Sequence, residues 1–280
     1  MPPRYVIKAC IDPTVIIAEG KAPSLKHFIE KVKGDLGFAD LRDKDLSGVN
    51  LSGAHLSEAD LSRCNLEGAD LTGAYIHSCN FTAAEMSRAV MRNVRGGPGT
   101  NFNAANLSHV KLHNANLREA DFSFAHMFSI DSSRAFLRDA TLSGAICNNS
   151  DFSEATLDGA LLDHMKLTDA NLSRASLVEV LLDHTDLSRT NFTEAQLSAG
   201  WQDITPENAN LKGAYVDLNN KRRLSLTQEV INFLALDLTV EEREHAWNFI
   251  KKDLSILGVL LTIHNAGASP IEVVPWLFHD

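Results

Sequence analysis

Residues 59–73 read ADLSR CNLEG ADLTG, three copies of a five-residue unit with a leucine at its centre. This spacing of a central apolar residue runs from Leu41 to Leu197 with one break and one exception, Ser132. A period of five fits neither an α-helix, at about 3.6 residues, nor a strand, at about 2. Self-similarity at a fixed short period indicates a solenoid, in which each repeat buries its apolar residue against its neighbours.

The units share more than the central residue. In ANLRE (115–119), ADFSF (120–124) and SDFSE (150–154), a small residue and then Asp or Asn precede the centre. This pattern resembles the pentapeptide-repeat family, and the resemblance extends from Ala39 to about Ala199. It implies a mainly β fold, a right-handed quadrilateral β-helix with four units per coil. The central residue and the small residue would both point inward.

The repeat has one break, between Met91 and Phe102, where the spacing is one residue longer than two units. Residues 95–99 read RGGPG, and clusters of Gly and Pro are strong turn signals. We predict a corner with one extra residue, after which the register resumes. Phe81, Phe102 and Phe122 would then stack on one inner side. The alternative is a true break into two solenoids.

A second departure lies between Met127 and Leu137, where Ser132 stands in the place of the central leucine. Phe128 and Phe136 fall at positions that the repeat would turn outward. The sequence predicts either a local bulge here or an alternative inward residue such as Ile130.

The two ends lack the repeat, which suggests three parts. Residues 1–35 are predicted to form an N-terminal cap, an extended apolar segment followed by a short helix that begins after Ser24, its N-cap. Residues 36–218 form the β-helix, and residues 219–280 form a C-terminal helical segment. Solenoids need such atypical ends because their terminal coils would otherwise expose core and unpaired strand edges.

The C-terminal segment carries an apolar stripe at alternating spacings of three and four, as on one face of a helix. Its members are Trp247, Ile250, Leu254, Leu257 and Leu261. Either this stripe covers the last coil, or it makes a dimer or partner contact. The capping role is the preferred interpretation. The protein would accordingly be a monomer, or a dimer through this segment.

Composition restricts the location of the protein. No apolar run approaches the roughly 20 residues that span a bilayer, and no signal-peptide core follows Met1. Cys64, Cys79 and Cys147 fall at inward positions of the repeat, which is typical of packing in a reducing compartment. We therefore expect a cytoplasmic protein without a membrane span. A further expectation is that the protein is delivered into a host cell by a specialised secretion system.

Motifs for catalysis are missing from the sequence, which has no GxSxG, P-loop or HExxH pattern. One repeated feature remains, the tetrapeptide LLDH, which occurs twice one coil apart. Its candidate interaction residues are Leu161, Asp163, His164, Leu181, Asp183 and His184. A metal site here would lack an enclosing shell of ligands. An exposed apolar pair that meets the C-terminal helices or a partner is the preferred hypothesis.

The sequence thus predicts a non-enzymatic protein-interaction scaffold of bacterial type, without cofactor or metal. The first hypothesis is a translocated effector that binds a host protein, since similar coils serve as recognition domains in such effectors. The resemblance also implies an alternative, since some pentapeptide-repeat proteins resemble duplex DNA and bind DNA gyrase. This alternative is an acidic DNA mimic that binds DNA gyrase or topoisomerase, and the chain has 36 acidic residues against 26 Lys and Arg. Direct nucleic-acid binding is not expected at a net charge of −10.

Overall fold

The structure, a computed structural model, describes residues 1–197, 209–210, 214–218 and 222–225. Its centre is a stack of coils joined by parallel β-bridges between residues one coil apart. Four ladders of bridges run along the stack, and they define four sides. Side A begins with the Asp40–Asp60 bridge, side B with Asp45–Asn65, side C with Asn50–Asp70 and side D with His55–Tyr75.

Each side consists of one five-residue unit, and the unit of Leu61 shows why the chain folds this way. Leu61 and Ala59 are buried, as predicted for the central residue and the small residue. Asp60 accepts a hydrogen bond at Oδ1 from the backbone N–H of Ser62 (2.9 Å), and Arg63 then takes the left-handed conformation, with φ of 56°. This left-handed residue recurs at the corners. The chain therefore turns after every short bridge segment.

Phenylalanine rings stack inside side A. The rings of Phe81 and Phe102 lie 5.0 Å apart between centroids at 3°, and those of Phe102 and Phe122 lie 4.9 Å apart at 9°. This confirms the predicted stack. The extra residue is absorbed at the corner before Thr100, whose hydroxyl donates to the Ile76 carbonyl oxygen (3.1 Å).

The ladders continue without interruption across this corner. Asn80 pairs with Asn101, and Arg95 pairs with Asn116, in the same parallel arrangement as the coils below. The alternative of two separate solenoids is therefore wrong.

The second departure forms no bulge. Asp131 pairs in register with Lys111 below and Asp151 above. Ser132 and Ile130 are both buried, so the large side chain occupies the small position and the small one occupies the centre. The prediction of a bulge is wrong, because this exchange of side-chain sizes fills the interior without moving the backbone. The inward Ile130 is confirmed.

The N-terminal residues form an antiparallel hairpin of β1 (Arg4–Lys8) and β2 (Ile16–Lys21), followed by helix α1 (Leu25–Val32). A 3-10 helix, Lys33–Asp35, leads into the coil. Ser24 is the N-cap of α1, as predicted, and its Oγ accepts from the His27 backbone N–H (3.3 Å). The sequence predicted only an extended segment where the hairpin stands.

This N-terminal unit lies against the first coil. Phe28 and Leu36 are buried in the same core as the coil leucines. Glu30 accepts from the backbone N–H of Asn50 (3.0 Å), and the Lys8 carbonyl oxygen accepts from the N–H of Asp40 (2.8 Å). These bonds satisfy backbone donors that have no coil below them.

At the other end, side D forms a small sheet of β3 (Ser176–Leu177), β4 (Gln196–Leu197), β5 (Tyr215–Leu218) and β6 (Arg222–Ser225). Strands β3, β4 and β5 are parallel, and β6 is antiparallel to β5. The antiparallel strand ends the parallel ladder on this side. No helix in the described part of the chain is long and apolar enough to cross a membrane.

Candidate functional site

Two leucines replace the polar residues of the ladder on side A. This ladder carries Asp60, Asn80 and Asp121 in earlier coils, and each uses its side-chain oxygen to bind the backbone at the next corner. Leu161 and Leu181 pair with each other in the same ladder. They are 36% and 56% exposed, respectively. The two side chains therefore form an apolar step on the surface.

The histidines of the LLDH repeat lie at the corner beside these leucines. His164 and His184 have φ of 56° and 55°, the left-handed conformation found at the corners. Their rings stack with centroids 5.0 Å apart and 18° between planes. The backbone N–H of His164 donates to the carbonyl oxygen of Asp183 (2.7 Å), which holds the two coils in register.

The two aspartates of the repeat stand between the leucines and the histidines. Asp163 is half-buried and Asp183 is exposed. Asp163 accepts a hydrogen bond at Oδ1 from the hydroxyl of Ser143 in the coil below (2.6 Å). This bond fixes the orientation of the Asp163 carboxylate. The structure thus brings all six predicted residues of the repeat to one corner of side A.

Sequence reasoning missed one neighbour of this cluster, Phe124. It occupies the same corner position two coils below His164 and is 63% exposed. Gly144 lies between them with φ of +70°, and a Cβ there would stand 2.8 Å from Phe124 Cδ1. The ring therefore covers the glycine backbone. The signal available in the sequence was a phenylalanine at a corner position that is elsewhere mostly polar or glycine.

We call the residues Phe124, Leu161, His164, Leu181 and His184 the side-A cluster. It offers exposed apolar carbon, aromatic faces and ring nitrogens on a rigid backbone. Within the described residues, no group of three or more His, Cys, Asp or Glu is placed to hold a metal ion. Exposed apolar and aromatic side chains of this kind are suited to contact with another macromolecule.

Ion pairs between adjacent coils neutralise much of the acidic charge at other corners. Arg189 binds Asp169 through both carboxylate oxygens (2.6 and 2.5 Å), and Arg174 binds Glu194 (2.7 Å). The hydrogen bond from Arg189 lowers the pKa of the Asp169 carboxyl below its usual value. Such exposed pairs contribute at most about 1 kcal/mol each to stability. Their main effect is to break up the acidic surface.

The second group of predicted interaction residues, the C-terminal stripe, lies outside the described residues. The members of this stripe are Trp247, Ile250, Leu254, Leu257 and Leu261. Whether this stripe covers the coil or binds a partner stays a prediction.

Comparison with known families agrees with the ladder geometry. The family model described as pentapeptide repeats matches in eight copies, over residues 35–68, 54–93, 98–127, 135–174 and 166–199. These ranges cover more than half of the chain. The chain belongs to the pentapeptide-repeat family. Pentapeptide-repeat proteins fold as right-handed β-helices and are in general non-enzymatic structural or interaction scaffolds.

Solved structures similar to this chain come from the same family. HetL, a pentapeptide-repeat protein involved in heterocyst differentiation regulation in the cyanobacterium Nostoc sp. strain PCC 7120, is 27% identical with a TM-score of 0.30. The match covers 62% of this chain and 84% of HetL. Full-length QnrB1, a plasmid-mediated fluoroquinolone resistance protein, is 18% identical with a TM-score of 0.36, and the match covers 61% of this chain and 87% of QnrB1. None of the curated proteins matches this chain.

Proposed function

We propose that this pentapeptide-repeat protein is a non-enzymatic scaffold that binds a protein partner through the side-A cluster. The observation that carries the proposal is the exposed Leu161–Leu181 step in a ladder that elsewhere bears mostly polar residues. Apolar side chains on a solvated ladder contribute nothing to the core. Covering them with a partner would remove their apolar area from water.

The rigidity of the coil supports a binding role. Both leucines donate backbone hydrogen bonds to the coil below, Leu161 to the Ala140 carbonyl oxygen (3.0 Å) and Leu181 to that of Ala160 (3.2 Å). Their side chains thus stand on a fixed frame. A surface that is ordered before binding loses little conformational entropy when a partner docks.

The finer form of the proposal is an effector that is delivered into a host cell and binds a host protein there. Its support is the resemblance of this coil to the recognition domains of translocated bacterial effectors. The partner would approach the corner between sides A and B, where Phe124, His164 and His184 project.

The alternative function, a DNA mimic that binds gyrase, is supported by the net charge of −10. A mimic needs a continuous series of negative charges along the rod, since B-DNA carries about one charge per 1.7 Å. Here no acidic residue occurs between Glu85 and Glu119. The acidic surface is therefore interrupted in the lower half of the coil, which favours the scaffold.

A pull-down with matched variants tests the scaffold. The full chain would serve as bait in host-cell and bacterial lysates, with L161S/L181S as the test variant. The control is K166S/D186S, which changes the same ladder position in the same two coils on side B and keeps the net charge. We expect a partner that the wild type and the control retain and that the leucine variant loses. Equal retention by both variants would exclude the side-A cluster as the docking surface.

A gyrase assay separates the two functions. A DNA mimic should compete with DNA for gyrase and inhibit supercoiling, and added salt should weaken the inhibition because it screens the charges. The scaffold proposal expects no inhibition. Inhibition that survives L161S/L181S would support the mimic.

A further inference from the structure

A stretch of the coil carries only positive charge. Residues 86–118 contain no Asp or Glu, although the chain has 36 acidic residues in 280. At the ladder positions of this stretch, Asn101 on side A and Asn106 on side B stand where other coils have Asp. The acidic character of the repeat is thus removed over more than one full coil.

Four cations of this stretch come together on two adjacent sides. Arg92 and Arg95 belong to one coil, and Lys111 and Arg118 belong to the next. The bridges Val90–Lys111 and Arg95–Asn116 stack these two coils directly, about 4.8 Å apart. All four side chains are exposed. We call Arg92, Arg95, Lys111 and Arg118 the basic band.

The basic band differs from the other basic residues of the coil in its partners. Arg63, Arg134 and Arg174 each bind a carboxylate of an adjacent coil at 2.7 to 3.0 Å. Within the described residues, none of the four side chains of the band lies in salt-bridge contact with a carboxylate. Their charges are therefore available to an anionic ligand.

One member of the band is already held in place. Arg95 donates from Nη1 to the hydroxyl oxygen of Tyr75 (2.7 Å), and its guanidinium carbon lies 4.9 Å from the centroid of the Tyr75 ring. Such stacking fixes the planar donor group without neutralising it. A carboxylate would then meet an oriented pair of N–H donors, which strengthens the hydrogen bonds.

We propose that the basic band binds a short acidic segment of a protein partner. The band is about two coils high, roughly 10 Å. Acidic ladder residues flank it on side C, Asp70 below and Asp131 above. A long polyanion such as duplex DNA would run over these carboxylates and be repelled. An acidic peptide that crosses the rod places its carboxylates on the band alone.

The band is separate from the side-A cluster. It lies on sides C and D in coils below the LLDH repeat, whereas the cluster lies on side A. A partner that uses both surfaces would have to wrap around the rod. Because the two surfaces share no residue, loss of one leaves the other intact, and their tests fail independently.

Fluorescence anisotropy with the full chain tests the proposal. The probe is labelled hexaglutamate, with hexaglutamine as the uncharged control peptide. The test variant is R92Q/R95Q/R118Q. The control variant is R63Q/R134Q/R174Q, which removes the same charge from arginines that already bind carboxylates. Circular dichroism verifies that both variants are folded, and R118Q alone serves if the triple variant is not.

We expect hexaglutamate, and not hexaglutamine, to bind the wild type. The test variant should bind it about tenfold more weakly or worse, since three charge-assisted contacts are lost. The control variant should stay within about twofold. Equal weakening in both variants, or no binding of hexaglutamate, would overturn the proposal. Tighter binding of single-stranded or duplex DNA than of hexaglutamate would overturn it in favour of a nucleic-acid site.

Discussion

Three of the four cysteines lie inside the coil, where apolar side chains surround their thiols. Cys64, Cys79 and Cys147 are buried, and Cys10 is half-buried in the N-terminal hairpin region. Burial raises the pKa of the Cys64 thiol to about 11 and raises those of Cys79 and Cys147 well above the usual value. The thiolate is the reactive form of cysteine. These three side chains therefore act as small packing residues.

We expect one reactive thiol in the folded protein. With Ellman's reagent, the half-buried Cys10 should react quickly and the three buried cysteines should not. All four should react after denaturation in guanidinium. The C10S variant is the control, and it should show no fast reaction. Rapid release from more than one thiol in the native wild type would contradict the inward positions of Cys64, Cys79 and Cys147.

The repeat alone predicts which residues face inward. The position of a residue within the five-residue unit determines whether its side chain points into the coil or toward solvent. Ser132 is the instructive exception. The sequence indicated that something unusual happens there, and Ile130 was the correct compensating residue. The absence of a bulge could not be predicted, since it depends on whether Ile130 fills the volume that Ser132 leaves.

The phenylalanine stack belongs to the scale of elements, because it spans three coils. We expect F102A to destabilise the coil by about 3–5 kcal/mol, since it removes a fully buried ring and leaves a cavity between two stacked rings. The matched control is F124A, which removes an exposed ring and should cost about 0.5 kcal/mol or less. Denaturant unfolding, monitored by circular dichroism, gives both values. Similar losses in the two variants would contradict the stack.

The N-terminal hairpin was only partly predictable at this scale. The sequence indicated the extended segment and the Ser24 cap, and both are present in the structure. The hairpin turn had a signal that the prediction did not use, Asp12-Pro13-Thr14. Asp12 accepts at Oδ1 from the Thr14 backbone N–H (2.9 Å). The attachment of β1 to the first coil, through the Ala9–Ala39 bridge, depends on tertiary contacts and has no local signal.

At the scale of the whole molecule, the total charge was a poor guide to the surface. The chain has a net charge of −10, yet the acid-free stretch 86–118 and the ion pairs between coils divide the surface into separate regions. The acid-free stretch could have been found by counting charges coil by coil. The ion pairs required the stacking register, because their partners lie one coil apart in the sequence.

The end of the coil after β6 provides the last prediction. In the described residues, the ladders of sides A and B end at Leu181 and Asp186, while β6 closes side D. If residues 226–280 cap the coil, their deletion exposes apolar core and unpaired strand edges, and such edges recruit one another. We therefore expect the truncated protein to self-associate in light scattering, with its β-type circular dichroism retained. The quadruple variant W247S/I250S/L254S/L257S in the full chain should also self-associate.

A truncated protein that stays monodisperse and as stable as the full chain would contradict the capping role. The C-terminal stripe would then be a docking surface, and the truncation should lose only its partner or its dimer contact.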